Sequence, residues 1–261
     1  MTDADPAEGR YLYCVVDADR GDPDSFAADG IDDGEPYVVA SDGVGAVVQR
    51  RAEPFDSDDL SEVKRWLVSH QLVVDAAGET FGTPLPFRFD TILRGDDDAV
   101  REWLAAERGT LREHLDAFAG KWEYRVTLST EGEFSPEGDE RLADLEERIA
   151  DAGEGTAYLL EKQREQRRRE LERERDELLA ADLRERLEPL VDRIEPIDAA
   201  DPLREGNPSN RVAGFTLLAG RDSEPDVGAA LDAVAADGDV EVEYTGPWPP
   251  YSFAPELEGE P

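Results

Sequence analysis

One cysteine (Cys14) and two histidines (His70, His114) are the residues of this 261-residue chain best suited to nucleophilic or metal chemistry. Catalysis by a thiolate needs an accessible sulfur activated by a neighbouring base or cation. Cys14 instead lies within Tyr11–Val16, YLYCVV, the most apolar run of the chain, and reads as a small core residue. His70 shares a 3/4-spaced stripe with Leu60, Val63, Leu67 and Val74, so a satisfied core histidine is the better reading. His114 flanks Leu111, Leu115 and Phe118 at a helix rim. Two histidines so placed make neither a zinc site nor a Ser-His-Asp arrangement. Asp17, Asp19, Asp22 and Asp24 imitate a calcium loop, but Asp22 stands where glycine is required and Ala28 where the closing glutamate belongs. Gly43-Val44-Gly45 lacks the third glycine and following helix of a dinucleotide loop, and no GxxxxGK[ST] motif is present. The residues therefore predict no catalytic group, no cofactor, no metal ligand and a protein that is not an enzyme.

Charge is the strongest compositional signal. Sixty-four acids oppose 28 basic residues, a formal net charge of −36, and only Lys64, Lys121 and Lys162 are lysine. Acid excess with arginine in place of lysine suits a halophile, because at molar salt the Debye length is about 3 Å and self-repulsion is screened. A nucleic-acid mimic or an acidic chaperone is the other reading of such a charge. With acids this dense, neighbouring carboxylates carry no argument for catalysis. No basic stripe could supply phosphate contacts, which argues against nucleic acid as a partner. No apolar run approaches 18 residues and the N-terminus has no signal-peptide core, so no membrane contact and a cytoplasmic location are expected.

The elements that must position these residues follow from periodicity. Tyr11–Val16 suits a strand buried on both faces. Tyr37–Ala40 and Val44–Val48 form a hairpin turning at Ser41-Asp42-Gly43. Ser57 is the expected cap of a helix bearing the His70 stripe. The segment FGTPLPFRFDTIL alternates as a strand over 85–93, and Asp96–Asp98 open a helix carrying Val100, Trp103, Leu104, Leu111, Leu115 and Phe118. After Gly120, Trp122, Tyr124, Val126 and Leu128 alternate with outward Glu123, Arg125 and Thr127. A helix from Ser135-Pro136 carries Leu142, Leu145 and Ile149. Gly153 and Gly155 then break it, and a helix of roughly thirty residues runs from Thr156 to about Leu190. Its second half, with Leu178, Leu179, Leu183, Leu187 and Leu190, is expected to pack; its first half is expected to stand in solvent. Strands at Val191–Ile197 and Val212–Ala219, a helix with Val227, Leu231 and Val234, and a strand at Val240–Tyr244 complete the order. The fold class is α+β with two domains, 1–120 and 121–246, followed by a Pro/aromatic tail at 247–261. The second domain spells βαββαβ, a ferredoxin-like order whose first crossover is enlarged by the long helix.

Two stretches could contact partners. Glu161–Arg175 holds seven of the 28 basic residues against five glutamates, among them Lys162, Arg164, Arg167, Arg168 and Arg169. It could dock an acidic partner, or be a solvated helix laced by i,i+4 pairs such as Glu165–Arg169. Pro247, Trp248, Pro249, Pro250, Tyr251 and Phe253 form a rigid aromatic strip. It could contact a partner, or fold back over the chain's own core.

Taken in succession, YLYCVV, TPLPFRFDTIL, KWEYRVTL, GTAYLLEKQREQ and GPWPPYSF resemble the F/L-type gas vesicle accessory proteins (GvpF/GvpL), and the acidic composition is similar to that of haloarchaeal members. The resemblance implies two α+β domains, the second a modified ferredoxin-like fold, and no catalysis. It also implies a place in gas vesicle formation, with the hydrophobic shell protein and other accessory proteins as partners. The expectation is a non-enzymatic assembly factor or minor component of gas vesicles. A small-molecule-binding regulator on a ferredoxin-like sheet is the alternative, and it predicts a deep pocket with convergent polar groups. An enzyme with an unrecognised site predicts a buried titratable pair.

Overall fold

The computed structural model describes residues 8–130, 134, 136, 138–197, 211–236 and 240–255. Most of the acidic leader, the helix start at Ser135, the loop rich in Asp, Pro and Asn, and the acidic C-terminal end lie outside them. The chain divides into two compact units, one of Met1–Tyr124, Leu218–Arg221 and Gly246–Pro261, the other of Arg125–Leu217 and Asp222–Thr245.

In the first unit, β1 (Gly9–Asp17) is the middle of a five-stranded sheet. On one side it pairs antiparallel with β3 (Val44–Arg50), which pairs in turn with β2 (Tyr37–Ser41). On the other it pairs with β4 (Leu85–Pro86) and β5 (Ile92–Arg94). Ser41 lies opposite Val44, so the β2–β3 hairpin closes on Asp42 and Gly43, at φ 48° and 82°. Two successive positive φ values are the signature of a tight type I′ turn, which Asp-Gly accepts with little strain. A helix covers each face: α1 (Leu60–Phe81) on one, α2 (Asp97–Phe118) on the other.

A bulge sets which residue of β1 meets which helix. Leu12 opposes Val48 and Cys14 opposes Val47, leaving Tyr13 as the extra residue. Tyr13 and Cys14 therefore both join Tyr11 and Val16 on the α1 side, while Leu12 and Val15 join the α2 side.

Three expectations need correction here. The 85–93 segment is not one strand: β4 and β5 pair with β1 separately, and Asp90 between them has φ 68°. Pro86 cannot donate to a ladder, and a left-handed residue turns the chain out of it. The cap of α1 is Asp59, whose carboxylate accepts the Ser61 N–H at 2.8 Å, while Ser57 Oγ accepts the Asp59 N–H at 3.0 Å. The buried face of α1 is also rotated from the expected stripe: Trp66, His70, Val73, Val74, Ala77 and Phe81 are buried, and Leu60 is 76% exposed. Asp96 caps α2 as expected, accepting the N–H groups of Asp98 and Ala99.

The rest of the chain gives β6 (Lys121–Thr130), α3 (Glu140–Ala150), α4 (Glu154–Leu187), β7 (Arg193–Pro196), β8 (Arg211–Gly220), α5 (Glu224–Ala236) and β9 (Val240–Trp248). The four strands form a sheet ordered β7-β8-β6-β9. Val126, Leu128, Leu183, Leu187, Leu217, Val227, Leu231 and Val234 are buried in the second unit, with Leu145 and Leu160 from α3 and α4. Asp139 is the N-cap of α3.

Inside the first unit, β1 and α1 enclose an aromatic cluster around His70. Tyr11 Oη accepts the Asp90 N–H at 3.3 Å and lies 2.7 Å from His70 Nδ1. The hydroxyl and Nδ1 are thus hydrogen-bonded to each other, and burial holds the imidazole neutral. The Tyr13 ring stacks on the imidazole at 5.3 Å, and Phe89 meets it edge-on. Burial lowers the His70 pKa from 6.5 to about 4, with the Phe87 backbone opposing the shift. Because the folded value lies below the unfolded one, this term is fully present above the unfolded pKa and is lost as pH falls from 6.5 towards 4. Each unit of depression corresponds to about 1.4 kcal/mol. Melting of the wild type and a His70→Gln variant across that range in molar salt checks this: the wild type's stability advantage shrinks as pH falls. A constant difference would contradict the assignment.

Candidate interaction surfaces

The arm formed by α3 and α4 carries the positive island foreseen in the sequence. Asp139 caps α3 by accepting the Leu142 N–H at 2.8 Å. The same carboxylate receives Arg167 Nη2 from α4 at 2.9 Å, and that side chain is only 20% exposed. Arg167 also lies near Glu170 and Glu174. Lys162 pairs with Glu165 at 3.1 Å, and Arg169 shares the same carboxylate. Arg168 donates to the Phe134 carbonyl at 2.7 Å, and Arg175 lies over the Phe134 ring. Arg164 lines an open groove of about 730 Å³ with Arg168, Glu165, Asp139, Leu142 and Glu146.

The first half of the long helix is therefore not a bare rod. Leu160 is 5% exposed, Leu145 of α3 is 3% exposed, and the two helices run in contact. Leu178, expected to pack, is 72% exposed instead. Hydropathy misplaced the seam because α3 covers this half in part through the Asp139–Arg167 ion pair, which an apolar pattern does not register. At the N-terminal end of α4, Tyr158 and Leu159 are 60% and 61% exposed.

The C-terminal strip belongs to the first unit. Pro249 and Pro250 are buried, Pro247 is half-buried, and Phe253 belongs to the buried cluster that also holds Leu12, Phe87, Leu104 and Leu218. The Ser252 N–H and hydroxyl donate to the two oxygens of Glu123 at 2.7 and 3.0 Å. Glu123 is 1% exposed, although alternation along β6 placed it outward. A buried carboxylate without donors is costly, so this bond ties the strip to β6. Only its partner, 129 positions away, could have revealed it. Gly246 has φ 127°, and a Cβ there would come 2.8 Å from the Glu123 carbonyl. The Tyr251 phenol is buried, which pushes its pKa well above the usual value. Trp248 is the ring of the strip that faces water, at 39% exposure.

The residues suited to chemistry are scattered. Cys14 is fully buried and its thiol is pushed far up by desolvation. His114 is half-buried on α2. Asp17 and Asp19 bind Arg112 of α2, at 2.9 and 3.1 Å, instead of forming a loop around an ion. Among the described residues no group of three or more His, Cys, Asp or Glu could hold a metal ion. No helix among them is long and apolar enough to cross a membrane.

Residues 9–255 match the family described as "Gas vesicle synthesis protein GvpL/GvpF". The chain is 43% identical to gas vesicle protein L1 of Halobacterium salinarum over 258 residues, 96% of this chain and 92% of that protein. It is 34% identical to gas vesicle protein L of Haloferax mediterranei, covering 96% of this chain and 88% of that one. Its fold is similar to the crystal structure of GvpF from Anabaena, with a TM-score of 0.73, 21% identity, and 95% of this chain and 98% of that chain covered. The GvpF structure from Microcystis aeruginosa gives a TM-score of 0.69 at 16% identity, covering 95% and 99%.

Buried Phe253 and exposed Trp248 should respond differently to truncation. Phe253→Ala is expected to cost ~3–5 kcal/mol, the range for a core aromatic. Trp248→Ser should cost no more than about 1 kcal/mol. Chemical denaturation in molar KCl measures both, and equal costs would contradict the placement of the strip.

Proposed function

This chain belongs to the GvpL/GvpF gas vesicle synthesis family, and from that premise we propose that it is a non-enzymatic assembly factor or minor component of gas vesicles. It binds the hydrophobic shell protein and other accessory proteins. The observation that carries this reading is the family match over residues 9–255, which leaves neither unit outside it. The seclusion of Cys14 and His70 in the core supports the non-enzymatic part. A subunit that builds an apolar-faced shell must be kept from aggregating until it reaches a growing edge. A strongly acidic carrier with a few exposed apolar side chains can hold it by local burial and stay soluble in brine.

Within this reading, Trp248 of the strip and the α4 arm are the contact surfaces. On the arm, Tyr158 and Leu159 provide the apolar part, with Lys162, Arg164 and Arg169 beside it; Arg167 and Arg168 shape the arm through Asp139 and Phe134. The buried members Pro249, Pro250 and Phe253, with half-buried Pro247 and Tyr251, hold Trp248 in place. A ferredoxin-like reading of 121–246 belongs to the same proposal. The order β7-β8-β6-β9 supports it by placing the first and third of those strands at the centre.

A pull-down of purified shell protein by the full chain in molar KCl tests the proposal. The wild type should retain shell protein, and Trp248→Ser combined with Tyr158→Ser and Leu159→Ser should lose most of it while melting normally. Retention by the triple variant equal to wild type would remove these surfaces. No retention by the wild type would remove shell binding altogether.

A further inference from the structure

The outward side of α1 offers a different surface. Leu60, Val68 and Leu72 are 76%, 59% and 59% exposed there. With exposed Lys64 they stand at four-residue intervals, the ridge that one helix packs into the groove of another. At about 1.5 Å per residue the row is about 18 Å long. Beyond its Leu60 end it differs in charge from most of the surface. Val63–Val74 contains no acid in twelve residues, although 64 of the chain's 261 residues are acids. Acids return at both ends of this stretch, Asp58, Asp59 and Glu62 before it and Asp75 and exposed Glu79 after it, as they do on α2 at Glu107 and on α3 at Glu146. Arg65 is held by Glu62 at 3.2 Å and lies 4.0 Å from Asp32, whereas Lys64 has no carboxylate at ion-pair distance among the described residues.

We propose that this row docks an amphipathic helix of another protein, whose apolar ridge covers Leu60, Val68 and Leu72 and whose acidic rim meets Lys64. The apolar side chains supply the burial and the unpaired ammonium selects the sign of the partner. A second copy of this chain fits worse. Two-fold pairing of the row sets Leu60 opposite Leu72 and Lys64 opposite Val68, which seats an ammonium in an apolar contact without a carboxylate. The inference is independent of whether the chain carries the shell protein.

Two labelled synthetic helices of about 21 residues test it against the full chain by fluorescence anisotropy in molar KCl. Both carry leucines on one face, and they differ in having glutamate or lysine on its flanks. A chain of charge −36 attracts the lysine peptide in general, so preference for the glutamate peptide is the specific sign. Wild type should bind the glutamate peptide more tightly, Val68→Asp should weaken that binding about tenfold or more, and Lys64→Glu should reverse the preference. Both positions are exposed, and unchanged melting of the variants verifies their fold. Preference of wild type for the lysine peptide, binding of neither, or indifference to Val68→Asp would overturn the proposal. So would sedimentation showing a wild-type dimer that Val68→Asp dissociates, which would assign the row to a second copy.

Discussion

Burial of β1 on both faces is the constraint from which the first unit follows. No residue of Tyr11–Val16 is exposed to solvent, so every backbone group there must be paired and both faces must be covered. The β2–β3 hairpin and the two short strands β4 and β5 meet the first demand; α1 and α2 meet the second. The Tyr13 bulge then fixes which side chains each helix receives. It places two tyrosines and Cys14 together on the α1 side, and the hydroxyl of Tyr11 finds its partner in His70. A ring nitrogen that would otherwise be a reactive base is thereby committed to holding the core together.

The same economy governs the other polar groups suited to chemistry. Glu123 is used to fasten Ser252, Asp97 to receive buried Arg10 and Tyr37, and Asp17 to receive Arg112. What the surface presents is charge, interrupted by a few large apolar side chains: Trp248, Tyr158, Leu159, Leu178 and the α1 row. In a chain of charge −36 such residues stand out as places where removal from water is favourable and repulsion is locally weak.

Much of the fold was legible because the period of the pattern reported the element directly. The hairpin at Asp42-Gly43, the cap at Asp96, the inward residues of α2 and α5 and the apolar positions of β6 were read from spacing alone. Two of the misreadings share one cause: a distant residue decided the outcome. Glu123 reads outward until Ser252 reaches it, and Leu60 reads inward until Trp66 and Val73 claim the core side of α1. The 85–93 run alternates faultlessly as a sequence, but Pro86 and the left-handed Asp90 break it into two strands. The α4 arm misled for an electrostatic reason: its cover comes from Asp139 binding Arg167, and hydropathy carries no trace of that pair. Of the candidate surfaces, the aromatic strip and the basic arm were visible as composition. The α1 row was not, because Leu60 was assigned to the core and the stripe it anchored left out Val68 and Leu72.

The central proposal is that the chain acts through its surfaces and without a reacting centre. Complementation of a gene-deletion strain, scored by flotation and electron microscopy of gas vesicles, tests it most directly. The account predicts that deletion abolishes normal vesicles, and that a chain with Cys14→Ala and His114→Ala restores them as well as wild type. Normal flotation of the deletion strain would contradict the account. So would failure of a correctly folded double variant to restore vesicles, since function would then depend on a side chain that only chemistry requires.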